Sequence, residues 1–391
     1  MEQYECEIDE RRNKVNSKFV FFPLVAAGFV VALAPTHAVA QQPNTFTVYA
    51  SGLEAPRGLR FGPDGYLYVA EAGTGGTNGT GSACQQVPPP IGPYTGDKTA
   101  RISKISQDGT RTTVASGFPS AANGTGGLLG VADVAFIDGT LYALVAGGGC
   151  SHGNPDSPSG VARVDLVTGQ WNLIANLGDY IKTHPAKFES PDDFEPDGTF
   201  YGMIAVDGLL YAIEPNHGQM FSVSRSGRIR QVIDTSASQG HIVPTAVAER
   251  DGKFYVGNLN LFPIDPQWAR ILTIAKGDYD DDNFAPGFDI KQRRYNVVSS
   301  KAGFTTVVAV GFGPDGLLYA LELSAAAGNP TPGAGKVVRV KRSGEIEDVV
   351  TGLSVPTGMT FGPDGGLYIS NFGAAAPGAG QILRFDIAPG W

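Results

Sequence analysis

Phe61-Gly-Pro-Asp-Gly-Tyr-Leu-Tyr-Val69 returns near the other end of the chain as Phe312-Gly-Pro-Asp-Gly-Leu-Leu-Tyr-Ala320 and as Phe361-Gly-Pro-Asp-Gly-Gly-Leu-Tyr-Ile369. Degenerate copies fill the gap: Phe136-Ile-Asp-Gly139 before Leu141-Tyr-Ala143, Val206-Asp-Gly208 before Leu210-Tyr-Ala212, and Arg250-Asp-Gly252 before Phe254-Tyr-Val256. A unit repeated at this spacing cannot bury a core of its own, so the copies must stack into an array or a closed ring. Asp-Gly between two apolar runs is a hairpin signal, because glycine accepts positive φ and aspartate tolerates it. Pro63, Pro314 and Pro363 preset φ for the same turn.

Each turn therefore joins an inner strand, such as Gly58-Leu-Arg-Phe61, to a second strand carrying the tyrosine. A variable loop leads to a third strand (Ala100 to Ile105, Gly160 to Val164, Lys336 to Val340, Gln381 to Phe385), and a second turn leads to an outer strand such as Thr112 to Ala115 or Asp348 to Val350. Six such units of four antiparallel strands predict an all-β, six-bladed β-propeller. The last unit runs out after three strands. The missing one is found at the front of the chain, where Phe46-Thr-Val-Tyr-Ala-Ser-Gly-Leu53 matches the outer strands Thr112 to Phe118 and Asp348 to Leu353. The expectation is that the N-terminal strand closes the last blade. No long amphipathic helix is expected.

The chain carries a net charge of −9 and no basic stripe, which argues against nucleic acid as a partner. Arg11, Arg12, Lys14 and Lys18 precede an apolar run from Phe19 to Ala34, and Ala38-Val-Ala40 offers small residues for cleavage. Residues 1–40 thus read as a signal peptide and 41–391 as one propeller domain, periplasmic or secreted and free of the membrane once cleaved. Cys84 and Cys150 remain in the mature chain, each in the loop after the second strand of its blade. Loops of adjacent blades on one face of an exported protein predict a disulfide between them.

The strand-two-to-three loops are the long ones (about Ala72 to Thr99, Gly147 to Ser159, Leu259 to Ala269 and Ser324 to Ala334), and loops on a rigid scaffold are where function sits. Three positions beyond each tyrosine stand Glu71, Val145, Glu214, Asn258, Glu322 and Asn371. This ring of carboxylates and amides reads either as a polar or metal-binding channel mouth or as a set of acceptors for blade-to-blade hydrogen bonds. His152, His217 and His241 fall on the same face; His217, His241 and Glu214 are the candidates for general acid–base work. Asp278, Asp280 and Asp282 have the alternate-residue spacing of a calcium loop, although Asn283 stands where such a loop needs glycine. No nucleophile elbow, phosphate loop or zinc spacing is present.

The middle blades carry more specific phrases: Leu209-Leu-Tyr-Ala-Ile-Glu-Pro-Asn-His-Gly218, Ser236-Ala-Ser-Gln-Gly-His-Ile-Val-Pro-Thr245 and Phe254-Tyr-Val-Gly-Asn258. With them the mature chain resembles the ScyD/ScyE family of exported, NHL-like bacterial propellers. That resemblance implies a place outside the cytoplasm and a link to secondary-metabolite (scytonemin-like) biosynthesis, and no particular reaction. Gluconolactonase-like propellers hold a metal with acidic and amide residues at the starts of the inner strands. The corresponding positions here are Arg57, Ala132, Tyr201, Thr245, Val308 and Thr357, with Asp133 the one nearby carboxylate, which argues against a calcium-dependent lactonase. The expected function is an accessory or scaffold protein that binds a small molecule or an extracytoplasmic protein. The alternative is a hydrolase, lyase or isomerase drawing on histidine and glutamate of the long-loop face.

Overall fold

The computed structural model describes residues 45–276 and 295–390. The targeting segment 1–40 and the acidic run with Asp278, Asp280 and Asp282 lie outside the described residues. Six antiparallel sheets follow one another along the chain. Their inner strands are Pro56–Phe61, Val131–Ile137, Met203–Val206, Pro244–Arg250, Val307–Phe312 and Gly358–Phe361, and each touches the next, with the last touching the first. The ring is closed and the fold is a six-bladed β-propeller.

The repeated phrase explains both the blade and its neighbour. Within a blade, the turn aspartate accepts a hydrogen bond from the tyrosine four residues on: Tyr68 to Asp64 at 2.8 Å, Tyr319 to Asp315 at 2.9 Å and Tyr368 to Asp364 at 3.0 Å. Burial, with the aspartate beside it, pushes the Tyr319 and Tyr368 phenols up to about 12, so they stay protonated and donate. Between blades, the phenylalanine of one copy meets the tyrosine of the preceding blade edge-on. Phe136 lies 5.0 Å from Tyr68, Phe312 5.1 Å from Tyr255, Phe361 5.0 Å from Tyr319 and Phe61 5.0 Å from Tyr368. The last of these pairs closes the ring.

Phe46–Leu53 pairs antiparallel with Gly380–Phe385, from Phe46 opposite Phe385 to Leu53 opposite Gly380, and completes the sixth blade. Ala50 and Leu53 are buried, and Tyr49 packs edge-on against Tyr368 at 5.1 Å. Cys84 and Cys150 are bonded with their Cα atoms 6.3 Å apart. Two features go beyond the expectation. The first blade has five strands, because its outer strand Arg111–Ala122 runs on far enough to pair with Leu128–Leu129. The connection from the second blade to the third carries a short helix, Leu177–Thr183, whose N-cap Asn176 accepts from the Asp179 N–H at 2.9 Å.

Removal of Phe46 to Gly52 exposes Ile382, Leu383 and Phe385 and leaves an open sheet edge. The expected outcome in a thermal melt is a Tm lower by about 10 °C or more; an unchanged melt contradicts the latch.

Candidate functional site

The six strand-end positions do lie at equivalent places, and their side chains turn toward the joins between blades. Glu71 accepts from the Glu54 N–H at 2.7 Å, Glu214 from the Thr199 N–H at 2.9 Å, Glu322 from the Thr305 N–H at 3.1 Å and Asn371 from the Ser354 N–H at 2.8 Å. Asn258 donates to the Ile242 carbonyl at 2.8 Å and accepts from the Arg270 N–H at 2.8 Å. All five are buried. A join that enters the ring exposes backbone groups that strand pairing leaves unpaired, and a strand-end carboxylate or amide satisfies them. Val145 cannot do this, and the join ahead of its blade is held instead by the extra strand Leu128–Leu129.

The three carboxylates differ in what balances their charge. Glu71 meets Arg101 at 3.1 Å and also accepts from the Ser103 hydroxyl. Glu214 accepts from the His217 N–H at 2.6 Å and faces His217 Nδ1 at 3.0 Å. Burial opposes the charge on Glu214, but His217 and the N–H donors hold its carboxyl below the ordinary range; burial likewise opposes the charge on His217, whose pKa Glu214 nevertheless raises. Among the described residues Glu322 has as its cationic partner only Lys336, at 4.0 Å, and burial pushes its carboxyl up.

The histidines converge on the connection between the second and third blades over residues 184–202. His152 is fully buried, with Nδ1 2.7 Å from the Gly148 carbonyl and Nε2 3.4 Å from Glu195. His217 lies 3.9 Å from Glu189 and edge-on to Phe194 at 5.3 Å. His241 Nε2 lies 2.7 Å from Asp193. Asp197 on the same segment accepts from Ser151 and from Lys182, each at 2.7 Å. None of the three histidines lines the cavity at the channel mouth; His217 borders a separate side cleft beside Cys84 and Cys150.

That cavity, of about 230 Å³, sits on the long-loop face, and its walls come from the first four blades. Ile91, Leu128, Leu129, Phe200, Leu261 and Phe262 give it an apolar lining, and Arg57, Tyr94, Glu195, Tyr201 and Asn216 add polar groups. Tyr94 donates to Glu195 at 3.0 Å, so this carboxylate is held by Tyr94 on one side and His152 on the other. Tyr201 donates to the Thr357 carbonyl across the channel at 3.0 Å and forms the floor. Below it the channel narrows to about 40 Å³, bordered by Ala132, Thr245, Val308 and Thr357, the inner-strand starts named above. Asp133 is buried there and accepts from the Val134 and Met203 N–H groups, each at 2.8 Å. Gly58 leaves room for it, since a Cβ at that position would stand 1.9 Å from the carboxylate oxygen. Burial, opposed by Arg60 and the two N–H groups, pushes the Asp133 carboxyl up to about 6.

No protein-family model matches the chain, and no curated protein matches it in sequence. Solved structures do match in fold. They include regucalcin, a calcium-binding protein from Agrobacterium tumefaciens (13% identity, 88% of this chain and 94% of that one, TM-score 0.51). The PQQ-bound form of aldose sugar dehydrogenase from Streptomyces coelicolor matches similarly (13% identity, 88% of this chain and 98% of that one, TM-score 0.51). So does a gluconolactonase from Xanthomonas campestris (9% identity, 88% of this chain and 89% of that one, TM-score 0.50). At these identities the likeness is one of fold. Among the described residues no three His, Cys, Asp or Glu side chains are grouped so as to hold a metal ion. At the inner-strand starts Asp133 has no acidic neighbour, so these residues do not fit a cation.

Two substitutions separate the balanced carboxylate from the unbalanced one. Glu71→Gln strips Arg101 of its buried partner and is expected to cost about 2 kcal/mol in chemical denaturation, whereas Glu322→Gln is expected to be neutral or stabilising at pH 7. Equal losses contradict this assignment. For Asp133 the folded pKa of about 6 exceeds the ordinary aspartate value of 3.8, so the native state holds the proton longer and stability falls as pH rises between them. Asp133→Asn is expected to make that fall shallower, as read from melts across the same pH range.

Proposed function

We propose that the chain is an exported propeller that binds a small molecule in the cavity at the channel mouth, as an accessory protein without turnover of its own. The observation that carries this reading is the cavity itself: an apolar concavity with a few placed polar groups, set on a rigid ring by loops of four blades. The cavity's carboxylates are engaged internally, Asp193 with His241 and Glu195 with Tyr94 and His152, which leaves no histidine facing the cavity as a general base. This favours binding over the hydrolase, lyase or isomerase reading built on His217, His241 and Glu214. Export is supported by the apolar run before Ala38-Val-Ala40 and by the Cys84–Cys150 disulfide, and no helix among the described residues is long and apolar enough to cross a membrane. The middle-blade phrases support a ScyD/ScyE-like protein with a link to secondary metabolism.

Leu261 and Phe262 form a half-exposed apolar lip on the cavity and contribute little to the core. The neutral dye Nile red is the probe for this site. Replacing both residues with serine is expected to weaken dye binding about tenfold while the melt shifts by only about 2 °C. Undiminished binding by the double variant overturns the assignment of the site.

A further inference from the structure

We infer that the ligand of this cavity carries an anionic group, a carboxylate on an apolar, ring-sized body, received by Arg57. This rests on the cavity being the binding site and goes beyond it by fixing the chemistry of the ligand. One guanidinium and two carboxyl side chains line the cavity, those of Arg57, Asp193 and Glu195. Asp193 is engaged by a hydrogen bond with His241 at 2.7 Å, and Glu195 by Tyr94 at 3.0 Å and His152 at 3.4 Å. Arg57 is different. Its guanidinium donates to the Leu128 carbonyl and lies 5.9 Å from the centre of the Tyr201 ring, and no carboxylate among the described residues forms an ion pair with it.

A guanidinium has five N–H donors in a fixed fork that suits a carboxylate, and the contacts with the Leu128 carbonyl and the Tyr201 hydroxyl take only part of that capacity. Half-buried beside apolar Leu128 and Tyr201, it is poorly served by water, and an anion arriving there gains a charge-assisted pair in a low-dielectric wall. The positioning is rigid: Arg57 belongs to the inner strand Pro56–Phe61, and its own carbonyl accepts from Ser370 at 2.7 Å across the seam between the first and last blades. Tyr201, whose phenol burial keeps protonated, supplies an aromatic floor under the same end of the cavity. Away from Arg57, Ile91, Leu129, Leu261 and Phe262 give the wall its apolar surface, and a volume of about 230 Å³ suits a body of one or two rings.

The test uses three molecules that share one body and differ in charge: 2-naphthoate, neutral 2-naphthamide and cationic 2-naphthylmethylamine, titrated calorimetrically into the full-length mature protein. The expected result is that naphthoate binds about tenfold to a hundredfold more tightly than the amide, with the amine weakest. In Arg57→Gln, whose fold is checked by its melt, naphthoate is expected to fall to the level of the amide while the amide is unchanged. Binding of all three without preference, or preference for the amine, overturns the anion assignment and leaves the cavity as a binding site. Failure of all three to bind, together with failure of Nile red, overturns the site itself. Because the comparison among the three molecules is made on the wild-type protein, it decides the question even where the Arg57→Gln variant does not fold.

Discussion

The contact between the phenylalanine of one repeat and the tyrosine of the blade before it is the interaction on which the rest of the ring depends. It couples local turn chemistry to global closure. Asp64, Asp315 and Asp364 hold their tyrosines by a hydrogen bond, and the tyrosine ring then presents a fixed face to the neighbouring phenylalanine. One side chain in each copy thus faces its own turn and one faces the next blade. An aromatic pair of this kind adds about 0.5–1.5 kcal/mol beyond its area burial. The larger effect is geometric, since the same edge-on contact recurs at four of the six seams, including the closing one between Phe61 and Tyr368.

A closed ring creates a second problem at the opposite end of each blade. Every join from an outer strand to the next inner strand crosses the top of the sheet and brings backbone groups that no neighbouring strand pairs. Glu71, Glu214, Asn258, Glu322 and Asn371 are placed to answer that need. Amide and carboxylate are interchangeable as acceptors, which is why both occur at one offset. They are not interchangeable in charge, and this explains the company each keeps: Arg101 for Glu71, His217 for Glu214 and the distant Lys336 for Glu322.

The architecture was readable because it is periodic. The Asp-Gly turns, the tyrosine strands and the complementarity of Phe46–Leu53 with an incomplete last blade all follow from comparing copies, and the disulfide follows from two loops at equivalent offsets in adjacent blades. The strand-end ring was equally visible as a pattern, but periodicity alone does not separate a channel mouth from a set of join acceptors; only the direction of the side chains does. The segment 184–202 is harder to read. Its Phe194-Glu-Pro-Asp-Gly198 copies the repeated turn phrase, and the Gly198 N–H does donate to the Glu195 carbonyl, but it stands in a join between blades, where periodicity does not reveal the role of Glu189, Asp193, Glu195 and Asp197. Arg57, by contrast, was legible as a position, an inner-strand start holding a cation where a metal-binding propeller needs an acid, and its charge is what distinguishes this mouth.

The segment 184–202 also shows how one scaffold serves a site it did not specify. Three histidines from three separate loops reach it, His152 at Glu195, His217 at Glu189 and His241 at Asp193, and Ser151 with Lys182 fixes Asp197. Cys150 lies two residues before His152, so the disulfide to Cys84 anchors the loop that bears Tyr94 beside the same carboxylate. The cavity wall is therefore held by contacts that converge from outside it, which leaves its inner surface free to be apolar. In such an arrangement the wall carboxylates Asp193 and Glu195 are already engaged by hydrogen bonds with His241, Tyr94 and His152. A charge at the inner surface with no ion pair among the described residues, as on Arg57, is available to whatever enters the cavity, because the strand that carries it is already held by the ring.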